Sequence, residues 1–235
     1  MPTKLSLAAM SVLCIALPAF GAKQRMELVT TDRADFAPGG LIHIEGSTGE
    51  LNIVGWDQPS VEVITTRYMF REDRDKEKAG ERLKRIEVAK MTSGNGELTI
   101  STTRKHVPWV HLDYQIMVPR NSRLVIHHRI GDVIVTNVAG DIDATERFGD
   151  IVVQLPEPEH YVIDAKSRFG TVYSDFNNPA RHFIGERLVQ DSAVPSPADA
   201  KGPSRKVTLR VGTGGITVQK LDPVVRDRTA PAAGI

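Results

Sequence analysis

The sequence contains very little cysteine. Its 235 residues include one cysteine, Cys14, which follows Val12 and Leu13 rather than the small residues of a lipoprotein signal. We expect Cys14 to be lost with a signal peptide, which would leave an exported chain without disulfides or thiol chemistry. Packing and backbone hydrogen bonds must then stabilise the fold.

An excess of charge of either sign is also absent. Thirty Lys and Arg stand against 29 Asp and Glu, and loss of Lys4 with a signal peptide would make the counts equal. This balance does not favour nucleic acid or an anionic membrane as partner. The sequence also lacks Gly-x-Ser-x-Gly, His-Glu-x-x-His and a phosphate-binding loop, so it predicts no catalytic residue.

The N-terminus has the pattern of a secretory signal peptide. Lys4 precedes an apolar run from Leu5 to Leu17, and small residues follow as far as Gly21. The run is too short to cross a bilayer as a helix, so we expect cleavage after Gly21 and no stable membrane span. The resulting domain boundaries are a signal peptide at 1–21, a lead-in at 22–40, one domain at 41–221 and a disordered tail at 222–235.

From Leu41 onward, apolar residues alternate with polar ones in short runs separated by turn residues, which predicts an all-β protein. The segment 72–87 differs, because it is dense in both signs of charge and places Leu83 and Ile86 at helical spacing. It predicts one short charged helix or a loop. Residues 192–204, rich in Pro, Ala and Ser, predict a flexible excursion.

A short unit recurs in the second half of the chain. Arg, an apolar residue, Gly and then Asp or Thr occupy 129–132, 147–150 and 168–171, at separations of 18 and 21 residues. Coils of this length, with glycine corners between short strands, predict a parallel β-solenoid. The part before residue 120 predicts antiparallel hairpins that cover one end of the stack, since open strand edges invite aggregation.

The two recurring residues have physical roles at such corners. Glycine tolerates a positive φ, and the aspartate carboxylate can accept backbone N–H bonds that a turning chain leaves open. The predicted structural turns are Gly131, Gly140, Gly149, Gly170 and Gly215. If successive coils lie directly over one another, Gly131, Gly149 and Gly170 form a column.

Three stretches resemble the putative adhesin family of bacterial envelope proteins, which is related to the head GIN domain. Ser47–Val63, STGELNIVGWDQPSVEV, resembles the opening of that family; Tyr114–Pro119 and the repeats from Gly131 resemble its middle; Lys206–Val218 resembles its closing strand pair. The resemblance implies a right-handed β-solenoid over most of residues 38–221. It implies no catalytic residue and no cofactor.

Stacked coils would bring Asp132 and Asp150 about 4.8 Å apart, where two carboxylates repel. Calcium could bind such turns, but the sequence lacks the Gly-Gly-x-Gly-x-Asp repeat of calcium-binding β-rolls. Arg129, Arg147 and Arg168 recur in phase with the turns. We therefore predict that these arginines neutralise the aspartates without a metal.

The same arginines could instead bind an anionic polysaccharide, because regularly spaced guanidinium groups suit regularly spaced carboxylates. Trp109 could stack on a sugar, although packing at the end of the β-core is the alternative. His111 and His127 could hold zinc, but no third ligand has a diagnostic spacing. The predicted ligand-binding residues are Arg129, Arg147, Arg168, Asp132, Asp150 and Trp109.

Together these patterns predict an exported, non-enzymatic envelope or secreted protein with an adhesive or structural role. Its expected partner is a cell-surface glycan or another envelope component. One alternative is a polysaccharide lyase or hydrolase of the β-helix type, with Asp141, Asp143, Asp150 and Arg147 on its outer face. Another is a polymerising scaffold resembling the cytoplasmic bactofilins, against which the signal peptide argues.

Overall fold

The computed structural model describes residues 24–46, 48–71, 80–81, 83–84, 90–94, 96–101, 110–157, 161–176, 187–191 and 204–221. The expected signal peptide, the expected tail and Trp109 lie outside these residues, as does the predicted excursion except for Ser204. In the charged segment 72–87, the described residues 80, 81, 83 and 84 are helical, and Leu83 packs against Met69. Within the described ranges, no helix has the length and hydropathy needed to cross a bilayer.

The described residues confirm an all-β fold, and most strands lie where the period-two pattern placed them. The strand Gln24–Asp35 lies in the expected lead-in, where the pattern predicted none. The strands are β1 (Gln24–Asp35), β2 (Leu41–Glu45), β3 (Glu50–Trp56), β4 (Ser60–Arg71), β5 (Lys90–Gly94), β6 (Glu97–Ser101), β7 (His111–Pro119), β8 (Arg123–Ile130), β9 (Val133–Thr136), β10 (Ile142–Phe148), β11 (Ile151–Leu155), β12 (Tyr161–Phe169), β13 (Val172–Ser174), β14 (Arg187–Asp191), β15 (Arg205–Thr213) and β16 (Ile216–Lys220).

These strands form two mixed sheets of eight. The first sheet has the order β1-β4-β7-β3-β9-β11-β16-β13, and the second has the order β14-β12-β15-β10-β8-β2-β6-β5. Residues that alternate along the strands point between the sheets and form one core, as in Ile126 and Ala144 of the second sheet and Val135 and Val153 of the first. Burial of this apolar surface is the main force that holds the sheets together.

Most of the strands belong to parallel pairs, and matching positions in the two sheets can be read as rungs of a stack. A rung is one strand of the second sheet with the strand of the first sheet at the same position. From one end, the rungs are β6/β7, β2/β3, β8/β9, β10/β11, β15/β16 and β12/β13. Neighbouring rungs pair in parallel and in register.

The rung order differs from the chain order, so the prediction that successive coils lie directly over one another is wrong at two places. The β2/β3 rung lies between β6/β7 and β8/β9, and the last rung in sequence, β15/β16, lies between β10/β11 and β12/β13. β15 thus pairs in parallel with both β10 and β12, and its inward apolar residues lie beside those of each strand. Each strand therefore pairs with the strand whose apolar residues match its own in register, and not with the strand that is nearest in sequence.

The prediction of antiparallel hairpins before residue 120 holds for only part of that segment. β1 pairs with β4, β4 with β7, and β5 with β6, all antiparallel. β2, β3, β6 and β7 instead join the parallel rungs. The reason is that Gly49 makes the same corner as the later repeats, with a φ of +114°, so that β2 and β3 enter the stack as a rung. The antiparallel cover is therefore β1, β4 and β5.

Candidate functional site

The most regular surface of the protein is the corner at which the strands of the second sheet turn into those of the first. The last two residues of β8, β10 and β12 are exposed there. They form what we term the corner ridge: Arg129, Ile130, Arg147, Phe148, Arg168 and Phe169. The apolar members are Ile130, Phe148 and Phe169, whose exposed fractions are 41%, 45% and 56%, so an apolar row lies beside the arginines in solvent.

The ridge turns at glycines because no other residue fits. Gly131, Gly149 and Gly170 have φ values of +127°, +147° and +159°. A methyl group on Gly149 would overlap the carbonyl oxygen of Gly131 in the adjacent rung. The predicted column of glycines is present, but Gly214 stands in it between Gly149 and Gly170.

The two remaining predicted turn glycines, Gly215 and Gly140, have different roles. Gly214 carries the positive φ of +139° at its corner, and Gly215 takes the place that Asp132 and Asp150 hold in other rungs. Gly140 is not among the residues with a positive φ, but a methyl group there would overlap the backbone of Ser122. Gly140 is therefore required by close packing between rungs.

The aspartates after the corner glycines bind backbone, as the sequence predicted. Oδ1 of Asp132 accepts the N–H of Asp150 at 2.9 Å, and Oδ1 of Asp150 accepts the N–H of Gly215 at 2.6 Å. Each carboxylate thus ties its rung to the next. This arrangement also reduces the repulsion between the two aspartates, because each one faces an amide dipole.

The predicted neutralisation of these aspartates by arginine is not what the described residues show. None of their ion pairs involves Arg129, Arg147 or Arg168. The guanidinium carbons of Arg147 and Arg168 instead lie 5.1 Å and 5.2 Å from the ring centroids of the phenylalanines that follow them. Each aspartate uses its Oδ1 on a backbone N–H group, and the three arginines are exposed and keep their charge toward solvent.

Polar side chains support the ridge from inside. His128, Glu146 and Ser167 are buried, and each precedes a ridge arginine. Oε1 of Glu146 accepts the N–H groups of Arg147 and Phe148, both at 3.0 Å. Nε2 of His128 lies 2.8 Å from the Gly49 carbonyl oxygen. These bonds fix the backbone from which the ridge side chains project.

Burial controls the protonation of two of these groups. It raises the pKa of Glu146 to about 7, although the two N–H groups bonded to its carboxylate act in the opposite direction. Burial also lowers the pKa of His128. Oε2 of Glu146 and Nδ1 of His128 have no hydrogen-bond partner among the described residues. A protonated Glu146 and a neutral His128 are the forms that this environment favours.

The ridge is interrupted once. Thr213 pairs in register with Phe148 on one side and with Phe169 on the other, so the apolar row runs Ile130, Phe148, Thr213, Phe169. Gly212 precedes it where β8, β10 and β12 have arginine, and a methyl group there would lie 2.6 Å from the carbonyl oxygen of Arg147. The β15 rung thus leaves a notch between two Arg-Phe pairs.

The structure does not bring the other predicted candidates together. His111 lies on the outer face of the first sheet and His127 on that of the second. Asp141 accepts the backbone N–H of Lys206 at 2.9 Å, and Asp143 is exposed on the second sheet. In the part of the chain that is described, no three His, Cys, Asp or Glu side chains converge as metal ligands.

A smaller aromatic group lies on the antiparallel cover. The ring of Tyr68 stacks on His111 with centroids 5.0 Å apart, the guanidinium of Arg25 lies 3.9 Å from the Tyr68 centroid, and Phe70 packs edge-on against both rings. Arg25 also pairs with Glu27 at 3.0 Å. These ring and charge contacts join the side chains of the group to one another and to Glu27, and the group does not repeat along the parallel rungs.

Sequence reasoning missed the exposed apolar row and the buried polar row. The signal for the second was present, since Glu146 continues the inward phase of Ile142 and Ala144, and a polar residue in that phase requires a partner. For Phe148 and Phe169, alternation predicts an inward side chain. The bend at the following glycine turns both phenylalanines outward, and the alternating apolar pattern does not predict that bend.

No protein-family model matches this chain. No curated protein matches it either. Among solved structures, a putative cell adhesion protein from Clostridium sporogenes is 13% identical with a TM-score of 0.47, over 82% of this chain and 99% of that one. A putative adhesin from Bacteroides fragilis is 7% identical with a TM-score of 0.30, over 81% and 96%. One from Parabacteroides merdae is 10% identical with a TM-score of 0.28, over 81% and 80%.

Proposed function

We propose that the protein is an exported, non-enzymatic component of the cell envelope or its surroundings that adheres to a surface glycan or another envelope component. The observation that carries this proposal is the corner ridge. Three of its side chains are cationic and form no ion pair with a described carboxylate, and three are exposed apolar groups beside them. Exposed apolar side chains that lie side by side, as Ile130 and Phe148 do in register, often mark a binding surface.

We further propose that the rungs are coils of a right-handed parallel β-solenoid. The in-register parallel pairs and the column of corner glycines support this geometry. A solenoid repeats one surface along its axis, and such a surface suits a ligand that is itself a repeating polymer. The ridge, with rungs about 4.8 Å apart, has this property.

Export is tested by sequencing the N-terminus of the protein recovered from the periplasm or the medium. A chain that begins at Ala22 supports removal of the signal peptide by cleavage after Gly21. Recovery of the chain only from the cytoplasm, with Met1 or Pro2 at its start, would show that the export proposal is wrong.

Adhesion is tested with the chain from residue 22 on immobilised envelope preparations and on a glycan array. Retention that does not release reducing ends supports a binding protein. Reducing ends or unsaturated products that accumulate with time would make the protein a carbohydrate-active enzyme. No retention on either surface would overturn the adhesive role.

A further inference from the structure

We propose that the notch over Gly212 and Thr213, between the Arg147–Phe148 and Arg168–Phe169 pairs, binds one ring of an acidic polysaccharide of the uronate type. This inference rests on the proposed function and specifies its ligand. The ring would lie between the two phenylalanines, and its carboxylate would bind the arginines.

The spacing of the notch fits one ring. Phe148 and Phe169 are both register partners of Thr213, on opposite sides of its strand. Two strand spacings separate them, which is about 9.6 Å between backbones. Contact between carbon atoms is about 3.5–4.0 Å, so one ring with a phenylalanine on each face needs roughly 7–8 Å. A second ring would not fit.

The floor of the notch has no large side chain and is polar. Gly212 has no side chain, and the backbone of Arg147 lies where a Cβ would be, so Gly212 contributes only backbone to the floor. Thr213 is exposed, and its hydroxyl can donate to or accept from a sugar hydroxyl. This hydroxyl also breaks the apolar row, which makes the ridge a poor surface for insertion into lipid but a suitable floor for a pyranose.

The charge of the notch selects an acidic ring. Arg147 and Arg168 form none of the ion pairs of the described residues, and the nearby Asp150 uses its Oδ1 on the N–H of Gly215. Arginine presents a planar fork that matches a carboxylate with two hydrogen bonds. A neutral sugar would leave both guanidinium groups without such a partner.

The backbone beneath both walls of the notch is held in place before any ligand arrives. Glu146 bonds the backbone N–H groups of Arg147 and Phe148 on one side. On the other side, Oγ of Ser167 donates to the carbonyl of Gly214 at 2.7 Å. A backbone fixed in this way loses little conformational entropy on binding.

The first test measures binding of oligogalacturonate to the chain from residue 22 by calorimetry, with a neutral galactan as reference. Arg147→Gln/Arg168→Gln should weaken binding at least about tenfold, since each lost charged hydrogen bond weakens it about that much. Arg123→Gln/Lys206→Gln removes two exposed charges at the opposite end of the same sheet, from the starts of β8 and β15, and should change affinity less than about twofold. Equal losses in both variants would show that only net charge matters and would overturn the proposal.

The second test fills the notch. Thr213→Phe keeps every charge and completes the apolar row, so it should abolish oligogalacturonate binding while circular dichroism and the melting temperature stay close to those of the parent. If the ligand instead binds along the apolar row, Thr213→Phe will bind oligogalacturonate more tightly than the parent, which would contradict binding in the notch. Stronger sedimentation of this variant with anionic phospholipid vesicles, together with unchanged oligogalacturonate binding, would replace the proposal with a lipid surface.

Failure of this inference can be told from failure of the proposed function. If the parent protein is retained on envelope preparations but does not bind oligogalacturonate, the uronate assignment is wrong and adhesion stands. If it binds neither, both are wrong. Retention on envelope preparations that free oligogalacturonate competes away, and that Thr213→Phe loses, supports both.

Discussion

The glycine corner and the antiparallel cover join their strands in different ways. At the corner, each rung meets the next through like groups, as when Asp132 bonds the N–H of Asp150. In the cover, unlike groups meet, as when Tyr68 lies between Arg25 and His111. Parallel pairing in register aligns the same position of every repeat, whereas antiparallel pairing of non-repeated segments aligns whatever the register brings together.

This difference affects both stability and function. In the corner column, a larger side chain at one rung must also fit against the rungs on either side. Replacing a single glycine or hydrogen-bond acceptor there should therefore lower stability. The same column presents a repeated surface to solvent, which the cover does not. The comparison therefore predicts that equivalent substitutions will have larger effects at the corner than in the cover.

The largest effect is expected for Gly149→Ala. The φ of +147° excludes most side chains, and the added methyl group would overlap the Gly131 carbonyl in the next rung. Strained backbone and overpacking together should lower the free energy of unfolding by at least about 3 kcal/mol. Urea denaturation, or a loss of soluble protein, measures the effect.

The matched control is Gly96→Ala, before β6 of the antiparallel β5–β6 pair. Its φ of +76° is also positive, but nothing lies within 4 Å of an added methyl group. Only the backbone cost of about 1–2 kcal/mol should remain. If Gly149→Ala costs no more than Gly96→Ala, close packing between rungs does not govern the corner.

The all-β class, most strands and the corner glycines could be read from the sequence because they depend on local chemistry. Alternation marked Val133 and Val135 as inward, and the recurrent Gly-Asp pair marked Gly131 and Gly149 as corners; all of these positions hold in the structure. The bonding of Asp132 to backbone also followed from the residue type, since a carboxylate after a turn seeks N–H donors.

The order of the rungs could not be read, because it is a long-range property. Gly214 stands between Gly149 and Gly170 in the corner column, although it is far from both in sequence. The notch follows from this order alone, since it exists only where the Gly212–Thr213 rung enters between two Arg-Phe rungs. The sequence predicted the arginines as a continuous ladder and so missed the break.

The second largest effect concerns Glu146 and pH. Its pKa is about 7 in the folded protein and 4.5 ordinarily, so between these values the folded state binds more protons than the unfolded state. Stability must therefore fall as pH rises through this window. The full pKa difference corresponds to about 3 kcal/mol, and solvent screening of a partly accessible carboxyl reduces this to about 2 kcal/mol. Glu146→Gln keeps an acceptor for both N–H groups and cannot ionise, so it should match the parent at pH 4.5 and exceed its stability by that amount at pH 8.

Two comparisons control this measurement. His128 has a lowered pKa, and its own contribution is lost as pH falls below its ordinary value, but it is present in both proteins and cancels in their difference. Asp113, beside the cover, also has a pKa raised by burial but is only partly buried. Asp113→Asn should show a smaller gain at pH 8. A parent and a Glu146→Gln variant with parallel pH profiles would contradict the burial of an ionisable Glu146.

The smallest effect separates the two roles of an aspartate. Asp150→Ala removes the acceptor of the Gly215 N–H at 2.6 Å and should lower the free energy of unfolding in urea by about 1 kcal/mol. The control Asp57→Ala removes an exposed ion pair with Arg120 at 2.9 Å near the cover. It should lower the free energy of unfolding by at most about 0.5 kcal/mol. Asp150→Asn keeps an acceptor oxygen and should recover most of the loss. If Asp150→Asn is as unstable as Asp150→Ala, the negative charge matters rather than the hydrogen bond, and a cation at the corner becomes the better explanation.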